Sequence, residues 1–396
     1  METTETEKFS AQQSQSGASA EQSNEKGLHA VKQATGLQLI AFVFILALAT
    51  KMFLLPIYLI RATGRDGYIA LAMGGGLDLL SLGLGLVAMK LSPDTDFFTL
   101  IKSVLGNVGS KIAALLIGLF LFFKLNISAS EVLTFYSDSV FADFDAALMI
   151  VILLAFLAAI GKHTLRALCR LGEFLTPIII VCIVILAAIV IMTGFDLANI
   201  LPVMRSPDFA SEAFRHAAWI GDFTPLVLFI GRTKMKKHTA TFAAVSGVVG
   251  TTVAVFFALA LCAAFGNVSG LVDSSTNISS ILQYSIGNVY GRIDLFSSVL
   301  WSISAFIEAA LFFYATARCF SYVIGKNAHL AISIGVCVAI YFVQVFAMTD
   351  PTIFSAVVTS WAAAIITVAF TFAVPVTAAV CAGVERARQR KAGCGR

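Results

Sequence analysis

Charged side chains are scarce: Asp, Glu, Lys and Arg make up 13% of the 396 residues, against about 25% in ordinary soluble domains. That deficit excludes a chain whose surface mostly faces water. Histidine is sparser still, with five residues: His29, His163, His216, His238 and His329. None stands in an HExxH pattern or beside a plausible nucleophile, and no Walker-type phosphate loop is present. The seven cysteines (Cys169, Cys182, Cys262, Cys319, Cys337, Cys381 and Cys394) form no CxxC pair. Most lie in apolar runs, where the thiol acts as a small hydrophobe. Metalloenzyme, redox and nucleotide-hydrolysing chemistries therefore lack their residues, and neither a cofactor nor a nucleic-acid partner is implied.

What the chain has is apolar length. Hydrophobic residues make up 58%, with 33 Phe, and the 29 glycines outnumber the 27 Lys and Arg. This mixture suits lipid-facing helices packed through small residues. A span needs ~20 mostly apolar residues, and ten such stretches are present: 36–60, 66–90, 111–136, 145–163, 172–193, 215–232, 239–265, 293–317, 328–347 and 352–382. The sixth is interrupted by Gly221, Asp222 and Pro225. Twenty of the 27 basic residues fall in the termini and alternate connections, including Lys102, Lys111, Arg232, Lys234 and Arg318; five fall in the other connections. By the positive-inside rule both termini are cytoplasmic. The expected fold is an all-α integral membrane protein of ten transmembrane helices.

Three segments fall outside the spans. Residues 1–34, rich in Ser, Gln and Glu without an apolar run, read as a disordered cytoplasmic tail rather than a signal peptide. Residues 383–396 read as a basic cytoplasmic tail, leaving 35–382 as the membrane domain. In 92–110, Phe97, Leu100, Ile101, Val104 and Leu105 recur at helical spacing and predict a short amphipathic helix on the inner surface. The polar stretch 266–292 predicts an outer cap.

Ionisable groups deep in a bilayer are costly and are functional candidates by default. They are Lys51, Asp78, Lys124, Asp222 and Glu308, with Glu131 and Glu173 expected nearer the interfaces. Lys51 lies midway along the first span, five residues before Pro56, so a break is expected near 51–56. Gly221 and Pro225 flank Asp222 and predict a second break. Interrupted first and sixth spans are the pattern of a five-plus-five inverted-repeat transporter, whose broken helix ends expose amides and carbonyls at the midplane. Polar stripes mark the third span (Lys124, Ser128, Glu131) and the eighth (Ser297, Trp301, Ser304, Glu308). In the second, Gly74, Asp78, Ser81 and Gly85 favour close helix packing, with Asp78 a partner for Lys51 or Lys124. Three acids against two lysines suggest internal pairing.

Four stretches carry a family resemblance: FLLPIYLIRATGRDGYIALAMGGGLDLLSLGLGLVAMKLSP at 53–93, LIKSVLGNVGSKIAALLIGLFLFF at 100–123, NILPV at 199–203 and GRIDLFSSVLWSISAFIEAALFFYAT at 291–316. In these the sequence resembles the B-subunit permeases of spore germinant receptors (GerAB-type), within the amino acid–polyamine–organocation superfamily. The resemblance implies a LeuT-like inverted repeat and a pocket for a small nutrient, commonly an amino acid. It also implies A-type and C-type partner subunits in the spore inner membrane. Carried onto this chain, the ligand site would fall at Thr50, Lys51, Met52 and Phe53, at Lys124, at Gly221, Asp222, Phe223 and Thr224, and at Ser304 and Glu308. The chain departs from the family pattern at Asp222, where a glutamate is expected, and at Lys51. A proton-coupled secondary transporter of an amino acid or amine is the competing expectation, and a ligand-free scaffold a third.

Overall fold

A computed structural model describes residues 33–52, 54–139, 146–161, 164–192, 197–201, 203, 209–265, 294–325 and 329–394. Regular structure among them is helical apart from one isolated bridge between Ala34 and Thr233. This is what a bilayer requires, since lipid offers no partner to a backbone amide. We number the α-helices α1 (Gly36–Leu48), α2 (Leu54–Thr63), α3 (Gly67–Leu91), α4 (Phe97–Ser139), α5 (Ala146–Gly161), α6 (Leu165–Met192), α7 (Phe209–Arg215), α8 (Thr239–Phe265), α9 (Asp294–Ile324), α10 (His329–Val343), α11 (Pro351–Val358) and α12 (Trp361–Cys394).

Seven helical stretches are long and apolar enough to cross a membrane, and three shorter apolar ones, Gly36–Leu48, Ala147–Ile160 and Ala217–Phe229, fall where the first, fourth and sixth spans were expected. The chain is thus a multi-pass, all-α membrane protein. Helix α1 opens on a reciprocal cap: the Gln38 amide donates to Thr35 Oγ1 at 3.2 Å, and the Thr35 amide donates to Gln38 Oε1 at 3.0 Å. It stops at Leu48, gives way to a 3₁₀ turn at Thr50–Met52, and the path resumes as α2. Pro56 lies in the first turn of α2, where an amide has no helical acceptor to lose. The sixth span contains no α-helix. It is two 3₁₀ pieces, Ala217–Trp219 and Thr224–Phe229, separated by Ile220–Phe223.

The core is built from α1 and α3 packed on α8, α12 packed on α3, and α4 packed on α9. The sixth span runs against α3 and α12. Lipid-type surfaces remain outside: Ile180, Val181 and Val184 of α6 and Leu115, Leu116 and Leu119 of α4 are exposed.

Two expectations are corrected. Residues 97–105 do form a short helix, with Phe97, Leu100 and Ile101 buried, but it packs on protein and runs into the third span through a kink at Gly106 (φ 73°). The tenth span is two helices, α11 and α12, divided at Thr359–Ser360, where Ser360 Oγ accepts from the Ala363 amide at 3.1 Å. Residues 383–394 continue α12 as helix. The outer-cap segment 266–292 and Phe53 lie outside the described residues.

The basic segments gather at one end of the bundle. Ala34 is held between Arg232 and Lys234 by two backbone hydrogen bonds of 2.8 and 2.9 Å. Arg232 Nε pairs with Asp96 at 2.5 Å and its Nη1 donates to the Tyr314 hydroxyl at 3.3 Å. Tyr322 reaches Ser110, and Arg388 reaches the Ser103 carbonyl. At the opposite end Arg65 donates to the Leu201 carbonyl. The charge asymmetry of the sequence is therefore an asymmetry of the folded molecule.

Candidate functional site

The two broken spans meet through their charges. Lys51, in the 3₁₀ turn of the first break, pairs with Asp222 in the sixth-span break and with Asp78 of α3, the latter at 2.8 Å. Lys124 of α4 approaches the other Asp222 oxygen at 3.1 Å and donates to the Ala218 carbonyl at 3.2 Å. Each of these four side chains is 1% exposed or less. Their ammonium groups lie over aromatic faces, Lys51 5.6 Å from the Phe223 ring centre and Lys124 5.9 Å from that of Phe312. Charges so deep persist only when paired and hydrogen-bonded, and removal of one partner from such a pair typically costs ~3–5 kcal/mol.

Backbone geometry builds the sixth-span half. Gly221 has φ +97°, and its amide donates to Asp78 Oδ1 at 2.5 Å. A side chain there would be misplaced twice over: its Cβ would stand 2.6 Å from Thr371 Oγ1. The neighbouring helix is shaped to match. Pro375 interrupts α12 and leaves the carbonyl of Thr371, four residues earlier, without its helical donor. Ser81 Oγ supplies one at 2.8 Å.

Beyond the central pairs, Glu131 accepts from the Trp219 indole at 2.7 Å and is fully buried, not interfacial as expected. Glu308 is also fully buried, and neither of its oxygens has a hydrogen-bond partner among the described residues. It lies within reach of the charges of Asp222, Lys124 and Glu131. Ser304, one turn earlier on α9, is buried on the same helix, as are Met52, Phe223 and Thr224 in the two breaks. Thr50 contributes backbone to the first break. Of the residues singled out in the sequence, Lys51, Lys124, Gly221, Asp222 and Glu308 come together. Asp78 joins them as the partner the sequence offered for Lys51, while Glu131 and Trp219 join them unexpectedly. Glu131 had a signal, standing seven residues after Lys124 on one helix face, whereas Trp219 had none.

A cavity of about 100 Å³ leads from Lys51 between α2, α3 and α7, away from the basic end, with His216 on its wall. It is lined largely by Leu55, Leu59, Leu71, Gly74 and Ala213. Among the described residues no group of His, Cys, Asp and Glu side chains has the arrangement of a metal site.

The fold has known counterparts. Mhp1, a nucleobase-cation-symport-1 family transporter, in a closed conformation with bromovinylhydantoin bound, superposes with a TM-score of 0.56 at 14% identity, over 79% of this chain and 72% of that one. Its inward-facing conformation gives 0.51 at 13%, over 87% and 78%. A mutant of the Eremococcus coleocola manganese transporter gives 0.56 at 11%, over 87% and 76%. At such identities the likeness is one of fold, and it makes the architecture that of the LeuT-like inverted-repeat transporters. Among curated proteins none matches in sequence. The family model described as spore germination protein matches residues 34–378. That match spans most of the chain, from the first interrupted span through the sixth and on to α12, and the chain belongs to the spore germination protein family.

Proposed function

We propose that this chain is the permease-like subunit of a germinant receptor and binds a small zwitterion, an amino acid, at mid-membrane. The observation that carries this is the ion pair between Lys51 and Asp222, which joins the two breaks. A zwitterion can enter a buried ion pair without changing its net charge: the ligand carboxylate meets Lys51 and the free amides of the first break, and its ammonium meets Asp222. A simple anion or cation would leave one charge buried and uncompensated, at several kcal/mol. Lys124, Gly221, Phe223, Thr224, Met52, Phe53, Thr50, Ser304 and Glu308 complete the site. The cavity beside Lys51 holds about three waters' volume, below the ~300 Å³ of pockets for drug-sized ligands, which favours a ligand of few atoms. The family supports A-type and C-type partner subunits and the spore inner membrane. The clustered basic end is then cytoplasmic, with residues 1–34 and 383–396 as cytoplasmic tails.

The test is thermal unfolding of the purified chain with each amino acid and with its des-amino and decarboxylated analogues. At 100 times its dissociation constant a ligand stabilises by about 2.7 kcal/mol. The expected result is a shift from one or a few small amino acids, none from the analogues, and none in K51M or D222N. Melting unmoved by every zwitterion would overturn the reading.

A second reading rests on Glu308. Four buried carboxyls (Asp78, Glu131, Asp222 and Glu308) face two ammonium groups, and the set is neutral when two carboxyls hold protons. A carboxyl without a hydrogen-bond partner is the natural one to exchange a proton with a moving ligand. Accumulation of labelled amino acid in proteoliposomes under a pH gradient, lost in E308Q with binding retained, would establish transport in place of sensing alone.

A further inference from the structure

The basic end carries a large open basin that the midplane site does not use. It has a volume of about 890 Å³ and lies between the start of α4 and the end of α9. Three cations line it: Lys102 from the short helix before the Gly106 kink, Lys111 from the first turns after it, and Arg318 from α9. None of the three forms an ion pair among the described residues, and the Arg318 Nε is buried without a hydrogen-bond partner. The basin has one acid, Asp96, and Arg232 already holds it. Asn107 adds a neutral amide donor to the lining, whereas the Ser321 hydroxyl is already donated to the Ala317 carbonyl at 2.7 Å. The basin therefore presents three uncompensated positive charges and an amide donor around one hollow, the chemistry that recognises a phosphate.

The wall beside it specifies the rest of the ligand. Val108 and Ile112, on one side of α4 beyond the Gly106 kink, are 71% and 55% exposed, and the column continues up the helix as Leu115, Leu116 and Leu119. Ile324, at the end of α9, is 58% exposed. Charge at the foot of an apolar, lipid-facing column is the layout of one phospholipid molecule, headgroup in the basin and acyl chains along α4. We propose that the basin between α4 and α9 is a binding site for an anionic phospholipid, with Lys102, Lys111 and Arg318 on the headgroup phosphate.

The test uses the full chain reconstituted in nanodiscs of mixed phosphatidylglycerol and phosphatidylcholine, with the lipid retained after mild detergent extraction counted by native mass spectrometry. The expected result is selective retention of phosphatidylglycerol. That selectivity should fall about fivefold for each cation removed in K102Q and in K111Q, since a basic residue near an anionic surface contributes about 1 kcal/mol, and it should survive in K102R and K111R. Unchanged melting in phosphatidylcholine alone shows that the glutamine variants are folded. Equal retention of the two lipids, or selectivity indifferent to K102Q and K111Q, would overturn the proposal. Displacement by inorganic phosphate as readily as by short-chain phosphatidylglycerol would overturn it too, by making the ligand a soluble phosphate.

Discussion

At the scale of single residues the buried charge cluster depends on Gly221. Its φ of +97° suits only a residue without Cβ, and Thr371 Oγ1 fills the space a Cβ would take. G221A is expected to lower stability by about 2–4 kcal/mol, combining backbone strain with overpacking. Adding T371A should recover the packing part alone, so a double-mutant cycle on thermal unfolding separates the two. Complete recovery would mean that the backbone adjusts freely. The residues at this centre were unevenly legible. Lys51, Asp222 and Glu308 stand out because a charge within an apolar run is rare and expensive. Asp78 was readable as a partner, but among glycines it looked equally like packing. Glu131 was misread because its place near the end of an apolar run suggested an interface, whereas α4 continues to Ser139 and carries it into the core.

At the scale of elements, the sixth span closes the basic end. Gly231, with φ +68°, lets its backbone come so near that a Cβ would stand 2.5 Å from the Thr95 carbonyl, and Arg232 then pairs with Asp96. The pair is about one-quarter to one-third exposed, so its own strength is modest, and the backbone contact beneath it shares the load. D96N is expected to raise several-fold the labelling rate of a cysteine placed at Leu228, which is buried just behind the closure. An unchanged rate would assign the closure to the Gly231 contact alone. Legibility at this scale followed length and punctuation. The seventh span was readable to its ends, 239–265, because nothing interrupts it. Pro225 and Gly221 announced a break in the sixth but not its replacement by 3₁₀ turns, which depends on how closely α3 and α12 approach. The tenth span, at 31 residues, was longer than one crossing needs. The division at Thr359–Ser360 had only hydroxyl side chains to mark it, and these serve equally well inside a helix.

At the scale of the molecule, the alternation of basic connections in the sequence became one basic end in the fold. The tertiary network did not show in the sequence, because pairing across more than 140 residues, as between Lys51 and Asp222, leaves no local periodicity. The bridge at Ala34 has a mechanical consequence. It fastens the start of the first broken span to the finish of the sixth at the basic end, while Lys51 and Asp222 latch the same two spans halfway up. Two arms joined at one tip and latched at the middle have the layout of closed tweezers. Above the latch the sixth-span arm has holds of its own: Lys124 donates to the Ala218 carbonyl and Glu131 accepts from the Trp219 indole. The cavity beside Lys51 lies between those two arms, so whatever loosens the latch also alters the gap beside it.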